Sequence, residues 1–225
     1  MLNVFHLKMK GLFITFEGTE GSGKSTHISR LADRLRTSGR TVRTLREPGG
    51  TLIGEEIRHT LKHSEANHAM TAEAELLLMN ASRAQLVREV IRPALAAGEM
   101  VLCDRFYDST TAYQGYGRGL DLKRVAAVID FAVGETRPNL TLLLQVPLAV
   151  SEARQKSRGA VVRDRFEEAD RTFFERVEQG YQAIAAAESD RVRVVDATRS
   201  VTAVSGAVWN CVEPLLADKG RKTRS

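Results

Sequence analysis

Short apolar runs alternate with longer segments of helical periodicity along most of the chain. The apolar runs predict five β-strands, at Leu12–Phe16, Thr41–Arg46, Met100–Asp104, Leu140–Val146 and Val192–Val195. In the other segments apolar residues recur about every three to four positions, which predicts helices. The predicted helices are Ser25–Ser38, Gly54–Lys62, Thr71–Ala97, Leu122–Val133, Leu148–Lys156, Ala169–Ser189 and Ser200–Ala217.

This alternation favours a single α/β domain. Strands joined by helices pair in parallel through right-handed crossovers, so we expect a three-layer α/β/α sandwich around a five-stranded parallel sheet. The chain has no internal repeat and no Gly/Ser-rich linker. We expect one domain over residues 11–217, with tails at residues 1–10 and 218–225. Ligands of such folds bind at the carboxyl ends of the strands.

The composition is typical of a globular protein. With 225 residues and 43% hydrophobic content, the chain is long enough to bury a substantial core. No apolar run approaches the roughly 18–20 residues that cross a bilayer, and residues 1–10 lack the apolar centre of a secretory signal. We therefore expect no membrane association. Cys103 and Cys211 are interpreted as free thiols in a reducing cytoplasm.

The chain is basic, with a formal net charge of +5 and a pI near 9.4. A basic surface is one signature of nucleic-acid binding. However, the sequence has no aromatic RNA-binding motif, no zinc-finger spacing and no helix-turn-helix pattern. We expect no direct nucleic-acid binding, and we assign the arginines to the phosphates of small ligands.

A glycine-rich segment separates the first predicted strand from the first helix. Residues 18–25 fit the pattern G-x-x-x-x-G-K-[S/T] of a phosphate-binding loop, or P-loop. Its glycines let backbone N–H groups surround phosphate oxygens, its lysine reaches the β- and γ-phosphates, and its serine binds Mg²⁺. The strand–loop–helix context favours this interpretation over a glycine turn without a ligand. The residues expected to bind ATP are Gly18, Glu20, Gly21, Ser22, Gly23, Lys24, Ser25 and Thr26.

Charged residues end the second and third predicted strands. Arg46 ends the second strand, and Asp104 and Arg105 end the third. Guanidinium groups bind phosphate oxygens in pairs, so two arginines at corresponding strand ends favour a second phosphate site over isolated ion pairs. Asp104 stands where a carboxylate holds Mg²⁺ beside a P-loop, which we prefer to a cap of the next helix. Ser25 and Asp104 are thus the predicted metal-binding residues.

A further group of arginines lies between two predicted helices, in residues 155–166. Arg158, Arg163 and Arg165 surround a glycine there. Such a segment can act as a lid that closes over a transferring phosphoryl group and excludes water. Taken alone, the segment favours a solvated cluster of charges, and the lid interpretation depends on the rest of the chain.

Together these motifs resemble those of the thymidylate kinase family of P-loop kinases. The resemblance runs from about Gly11 to the last helix, through Phe16–Thr26, Arg46–Thr51, Asp104–Gln114 and Val195–Thr198, in this order. The third motif is the most specific. The resemblance implies transfer of the γ-phosphoryl group of ATP to the 5′-phosphate of dTMP, giving dTDP for dTTP synthesis. It also implies a homodimer, with the helix at Thr71–Ala97 as a candidate face.

On the phosphate side, the resemblance assigns Lys24 and Ser25 to ATP and Mg²⁺, and Arg46 and Arg105 to the acceptor phosphate. The family carries its catalytic arginine in the P-loop or in the lid. The P-loop of this chain contains no arginine. This implies the bacterial layout, with Arg158 as first candidate and Arg163 and Arg165 as alternatives.

On the nucleoside side, the resemblance implies that Glu20 lies near the sugar 3′-hydroxyl and that Arg83 donates to thymine O4. Thr111 and Gln114 would line the base pocket, and Tyr113 would crowd the sugar and disfavour a 2′-hydroxyl. The Glu47–Pro48 bond resembles a cis-proline turn of the family, although trans is the default of X–Pro bonds.

One position departs from the family. The residue four places before Arg83 is usually a phenylalanine that stacks on thymine, and here it is Met79. Methionine is flexible and covers a ring less rigidly. Weaker thymine binding, acceptance of another pyrimidine, and a purely structural Met79 all remain open at this stage.

Two other functions also remain open. A kinase for another pyrimidine nucleotide or for a deoxynucleoside would use the same phosphate chemistry. A regulatory P-loop ATPase would share the ATP site, but it leaves the arginines at the strand ends without a role.

We predict that one lid arginine stabilises the transferring phosphoryl group. Alanine variants of Arg158, Arg163 and Arg165, made singly, should include one that lowers kcat and leaves dTMP affinity nearly unchanged, because such a contact forms mainly in the transition state. A catalytic arginine is worth roughly 10³–10⁵ in kcat at related sites, and we expect less here because three arginines partly substitute for one another. Near wild-type kcat in all three variants would refute the lid assignment.

Overall fold

The computed structural model describes residues 11–157 and 170–222. Its parallel sheet has the strand order β2-β3-β1-β4-β5, which confirms the predicted α/β architecture. The strands are β1 Leu12–Glu17, β2 Val42–Arg46, β3 Met100–Asp104, β4 Leu140–Gln145 and β5 Val192–Asp196. The lid residues Arg158, Arg163 and Arg165 and the predicted tail at residues 1–10 lie outside the described residues.

Helices surround this sheet. They are α1 Lys24–Thr37, α2 Leu52–Lys62, α3 Ala72–Leu86, α4 Arg92–Ala96, α5 Tyr107–Thr110, α6 Leu122–Val133, α7 Leu148–Lys156, α8 Arg171–Ala187 and α9 Val201–Lys222. A π-helical turn, Val87–Ile91, joins α3 to α4, and a π-helical segment, Thr111–Gly117, continues α5. None of these helices combines the length and the apolar composition that crossing a membrane requires.

Strand β1 is buried on both faces and separates two hydrophobic clusters. Leu12, Ile14 and Phe16 pack into the cluster shared with α1 and α9. Phe13 points into the cluster shared with α3, α4 and α6. A strand covered on both faces requires a continuous apolar run, which is why residues 12–16 carry no polar alternation except at Thr15.

The central place of β1 in the sheet positions the P-loop. β1 pairs with β3 on one side and with β4 on the other, so the loop after β1 lies between the ends of both neighbours. Gly18 has a φ of 130°, and a Cβ there would lie 2.3 Å from the carbonyl oxygen of Leu144 at the end of β4. Only glycine fits this close approach.

The helical segment at residues 107–117 was not predicted. Its residues include Ser109, Thr110 and Thr111 and two glycines, which are poor helix formers, so local propensity gave no helix signal. Burial of most of its side chains against the rest of the protein stabilises it instead. Helix α9 also differs from expectation, because it continues to Lys222 beyond the predicted domain end at residue 217.

Candidate active site

The P-loop has the backbone shape that a phosphate cradle requires. Gly21 and Gly23 have φ angles of 76° and 95°, and α1 begins at the next residue, Lys24. The Lys24 ammonium group donates to the carbonyl oxygens of Gly18 and Thr19, at 2.9 and 3.0 Å. Burial and the nearby charge of Arg105 lower the pKa of Lys24 to about 8, so the group remains mainly charged at neutral pH.

The two predicted metal-binding residues lie in direct contact. Ser25 Oγ donates to Asp104 Oδ2 at 3.0 Å. Asp104 does not cap the following helix, because α5 begins only at Tyr107 and no side chain caps it. A serine hydroxyl next to a carboxylate is a suitable pair of oxygen ligands for Mg²⁺.

Arg105 takes a backbone conformation that is rare for its residue type. Its φ is 69°, the only positive φ of a non-glycine residue within the described ranges. The Arg105 N–H donates to the carbonyl oxygen of Phe16 at 2.9 Å, which ties it to β1. Its guanidinium group donates to four side chains, Glu20 at 2.6 Å, Ser109 at 3.0 Å, and Tyr113 and Tyr181 at 3.1 Å.

Glu20 balances the charge of Arg105 from within the P-loop. Tyr113 donates to the second carboxylate oxygen of Glu20 at 2.8 Å. Burial alone would raise the pKa of Glu20, but Arg105, Lys24 and the Tyr113 hydrogen bond outweigh it and lower the pKa to about 2. Glu20 is therefore a carboxylate at any physiological pH.

A pocket opens beside the Arg105–Glu20 ion pair. It is lined by Glu20, Glu47, Pro48, Lys62, Met79, Arg105, Ser109 and Tyr113. Four of the predicted site residues, Glu20, Met79, Arg105 and Tyr113, thus meet here. The pocket combines charged groups with apolar surface from Pro48 and Met79, which suits a ligand with both a phosphate and a flat base. The Glu47–Pro48 bond at its wall is cis, as the family resemblance implied.

Arg83 does not line this pocket, and its side chain is held by other residues of the protein. Its side chain is only 2% exposed. Its guanidinium group donates to Glu47 Oε2 at 2.7 and 2.8 Å, to Asn80 and Thr110 at 2.9 Å, and to the Phe106 carbonyl oxygen at 3.2 Å. All of its N–H groups therefore have partners within the protein. Arg83 is thus a buried bridge between Glu47 and α5 in this structure, and its contact with thymine O4 remains a prediction.

Gln114 and Thr111 also lie outside the lining of the pocket. Gln114 is fully buried, and its Nε2 donates to Glu75 at 2.7 Å while its Oε1 has no hydrogen-bond partner. Thr111 Oγ1 donates to the carbonyl oxygen of Tyr107 at 3.4 Å, within its own helical segment. Their expected contacts with the base remain predictions.

Arg46 lies in a different cleft from Arg105. Its side chain is 49% exposed and donates to Glu55 Oε2 at 3.0 Å. The cleft that it lines also contains Ser25 and Asp104. The structure thus groups Arg46 with the two predicted metal-binding residues, and its contact with an acceptor phosphate remains a prediction.

Several residues of the site were not found from the sequence. Arg154, in the last turn of α7, donates to the carbonyl oxygens of Gly21 at 3.3 Å and Ala197 at 2.9 Å, and so joins the P-loop to the loop after β5. Glu17 and Tyr181 lie behind Arg105. Neither Tyr181 nor Arg154 stands in a motif, so only the tertiary structure places them.

Glu17 is a buried acid with a shifted pKa. Burial and the neighbouring Asp108 raise its pKa to about 7, against the opposing effects of Arg105 and of the Ser109 hydrogen bond. Its carboxylate accepts hydrogen bonds from the Phe106 N–H, Ser109 and Tyr181.

Comparison with known proteins identifies the family that this chain resembles. The family model for thymidylate kinase matches residues 16–208. A thymidylate kinase of Alcanivorax borkumensis is 48% identical over 93% of this chain and 99% of its own length. One from Pseudomonas fluorescens Pf-5 is 49% identical over 92% of this chain and 98% of its own length. The crystal structure of thymidylate kinase from Ehrlichia chaffeensis aligns with a TM-score of 0.72 at 30% identity, covering 89% of this chain and 97% of that chain.

We predict that Arg83→Ala destabilises the protein. The substitution leaves the buried Glu47 carboxylate without its charged partner, which should lower the free energy of unfolding by about 3–5 kcal/mol. Urea denaturation measures this change. Arg43→Ala is the matched control, because Arg43 forms a paired contact with Glu99 near the surface, at 2.8 and 3.0 Å, and should cost less than about 1 kcal/mol.

The opposite result would favour the role that the resemblance implies. If Arg83→Ala keeps wild-type stability but loses dTMP binding, Arg83 reads the base and the buried-bridge assignment is wrong.

Proposed function

This chain belongs to the thymidylate kinase family, and we propose that it transfers the γ-phosphoryl group of ATP to dTMP, giving dTDP and ADP. One observation supports this function most directly: the P-loop and the neighbouring pocket share Glu20. Glu20 lies within the P-loop, and its carboxylate lines the pocket together with Arg105 and Tyr113. A donor site and an acceptor site that share a residue bring the two phosphates together.

Phosphoryl transfer depends on positioning and on stabilisation of charge. In our proposal, the ATP phosphates take the place of the carbonyl oxygens that Lys24 now contacts. The Lys24 charge and the N-terminus of α1 then stabilise negative charge on the β- and γ-phosphates. In this proposal one of the lid arginines adds positive charge to the transferring phosphoryl group.

The acceptor phosphate binds Arg105 in this proposal. The Arg105 guanidinium carbon lies 4.9 Å from the centre of the Tyr113 ring, so the ring limits the space beside the phosphate site. Tyr113 would thereby exclude a 2′-hydroxyl and select deoxynucleotides. Met79 and Pro48 supply the apolar cover for the thymine ring.

We also propose that Ser25 and Asp104 hold Mg²⁺. Both offer oxygen ligands, and they lie within hydrogen-bond distance of each other, Ser25 in the first turn of α1 and Asp104 at the carboxyl end of β3. When bound, Mg²⁺ neutralises charge on the β- and γ-phosphates. Ser25 was expected in this role from the P-loop pattern, and Asp104 from its place at the end of β3.

We propose that the enzyme works as a homodimer in the cytoplasm. Helices α3 and α6 pack together, and they carry the exposed side chains Leu77 and Phe131, which are 58% and 84% exposed. Large apolar side chains exposed on neighbouring helices favour burial against a second copy. Cys103 and Cys211 are both free thiols, as a reducing compartment favours.

The dimer proposal predicts that Phe131→Glu shifts the protein toward monomer. A charge at the centre of an apolar contact is costly to bury, so the dimer dissociation constant should rise by about tenfold or more in sedimentation experiments. Val201→Glu, at an exposed apolar position on α9, is the control and should leave the constant unchanged. A wild-type protein that is monomeric at all concentrations would contradict the dimer.

The catalytic proposal predicts that Lys24→Ala abolishes turnover and leaves the fold intact. The lost charge should lower kcat by at least about 10²–10³-fold, and circular dichroism should match the wild type. Lys123→Ala, on the exposed face of α6, is the control with unchanged turnover. Turnover of Lys24→Ala within a few-fold of wild type would refute the P-loop assignment.

A panel of dTMP, dUMP, dCMP and thymidine with ATP measures the acceptor preference of the wild-type protein, which should favour dTMP.

A further inference from the structure

Glu17 is the last residue of β1 and lies directly before the P-loop. Its side chain is fully buried, and its carboxylate takes part in three hydrogen bonds. Oε1 accepts from the Phe106 N–H at 2.8 Å. Oε2 accepts from the hydroxyl groups of Ser109 at 2.5 Å and Tyr181 at 2.9 Å. All three donors belong to residues next to Arg105 in sequence or in space.

The first of these hydrogen bonds fixes the backbone of Arg105. The N–H groups of Arg105 and Phe106 follow each other in the chain, and they donate to consecutive residues of β1: Arg105 to the Phe16 carbonyl and Phe106 to the Glu17 carboxylate. Between these two anchors Arg105 takes its φ of 69°. A left-handed conformation is unfavourable for a residue with a Cβ, and the two hydrogen bonds offset this cost.

The other two hydrogen bonds act on the side chain of Arg105. Ser109 and Tyr181 each have one hydroxyl proton, and both hydroxyls lie within hydrogen-bond distance of Glu17 Oε2 and 2.9 Å from each other. An ionised Glu17 can only accept, so it draws both protons toward Oε2. Their lone pairs are then free to accept from Arg105 Nη1, at 3.0 and 3.1 Å. The carboxylate thus orients both hydroxyls as acceptors for one edge of the guanidinium group. The other edge, Nη2, faces Glu20 and Tyr113 in the pocket.

We propose that Glu17 is a positioning residue for the acceptor phosphate: through the Phe106 N–H and the Ser109 and Tyr181 hydroxyls, it holds Arg105 in the orientation that presents Nη2 to the pocket. This inference rests on the proposed function, in which Arg105 binds the phosphate of dTMP. Glu17 itself does not line the pocket.

Glu17→Gln tests this role with little change of shape. If the amide oxygen keeps the Phe106 hydrogen bond, the amide nitrogen faces the two hydroxyls and donates to them. One hydroxyl proton can then turn to the other hydroxyl, 2.9 Å away, but the second proton is left facing Arg105 Nη1, which is itself a donor. The reversed amide would place its NH₂ group against the Phe106 N–H. Either orientation leaves Arg105 without part of its support.

The experiment compares binding of dTMP with binding of thymidine, which has the same base and sugar but no phosphate. Calorimetry is done in slightly alkaline buffer, where Glu17 is ionised. In Glu17→Gln, dTMP affinity should fall about tenfold or more, as expected for weakened hydrogen bonds to a charged group, while thymidine affinity and the KM of ATP stay within about twofold. In an Arg105→Lys background, Glu17→Gln should have almost no further effect on dTMP affinity, because both changes act on one group.

Asp108→Asn is the matched control. Asp108 is also a buried carboxylate and lies close to Glu17, but it pairs with Arg191 at 2.8 and 2.9 Å, away from the pocket. Its loss should lower stability without changing the ratio of dTMP to thymidine affinity. If Glu17→Gln fails to fold, Tyr181→Phe removes one of the two oriented hydroxyls and should weaken dTMP binding by about threefold with thymidine unchanged.

Three outcomes would overturn the inference. The first is an equal loss of dTMP and thymidine affinity, which indicates general damage to the pocket. The second is wild-type dTMP affinity in the variants. The third is tighter dTMP binding in Glu17→Gln, which would mean that Glu17 acts only as a negative charge that repels the phosphate.

A wild-type protein that neither binds dTMP more tightly than thymidine nor phosphorylates it would refute the proposed function, and the inference with it. Activity on dTMP together with any of the three outcomes refutes the inference alone.

Discussion

The ion pair between Arg105 and Glu20 joins the two halves of the site. Glu20 belongs to the P-loop after β1, and Arg105 follows β3, so the pair connects the ends of two neighbouring strands at a distance of 2.6 Å. Both side chains are largely withdrawn from solvent, and the attraction between them is therefore weakly screened. Three tyrosine and serine hydroxyls and the Glu17 carboxylate complete the hydrogen bonds around it. This network therefore links the P-loop directly to the residues that line the pocket.

Two further ion pairs are buried behind the network, and each fixes a helical segment. Arg83 ties Glu47 to the carbonyl oxygen of Phe106, and Arg191 binds Asp108 through two nitrogens. Removing charges from water is expensive, so such pairs contribute less to stability than their short distances suggest. They do specify position, because a misplaced partner would leave a charge buried alone. The helical segment at residues 107–117, which has poor intrinsic propensity, gains a defined place from them.

The pocket is built from residues that differ in how rigidly they are held. Arg105, Ser109 and Tyr113 are fixed by hydrogen bonds to one another or to Glu20 and Glu17. Met79, by contrast, contributes only flexible apolar surface. The phosphate end of the proposed acceptor site is thus preorganised by hydrogen bonds, whereas the base end is lined by a flexible side chain.

The sequence by itself determined the fold class, the P-loop and the ends of the strands where the site lies. These features depend on local patterns: apolar runs, glycines where the backbone needs a positive φ, and a lysine and serine at fixed spacing. It also placed Ser25 near Asp104, because the loops that follow parallel strands lie at the same edge of the sheet.

Only the tertiary structure decided which arginines face the pocket. Arg83, Arg46 and Arg105 have the same chemistry in the sequence, and what separates them is the partner that each finds. Arg83 meets Glu47 in the core, Arg46 meets Glu55 near the surface, and Arg105 meets Glu20 at the pocket. Those partners lie far apart in the chain or on other elements, so no local pattern encodes them.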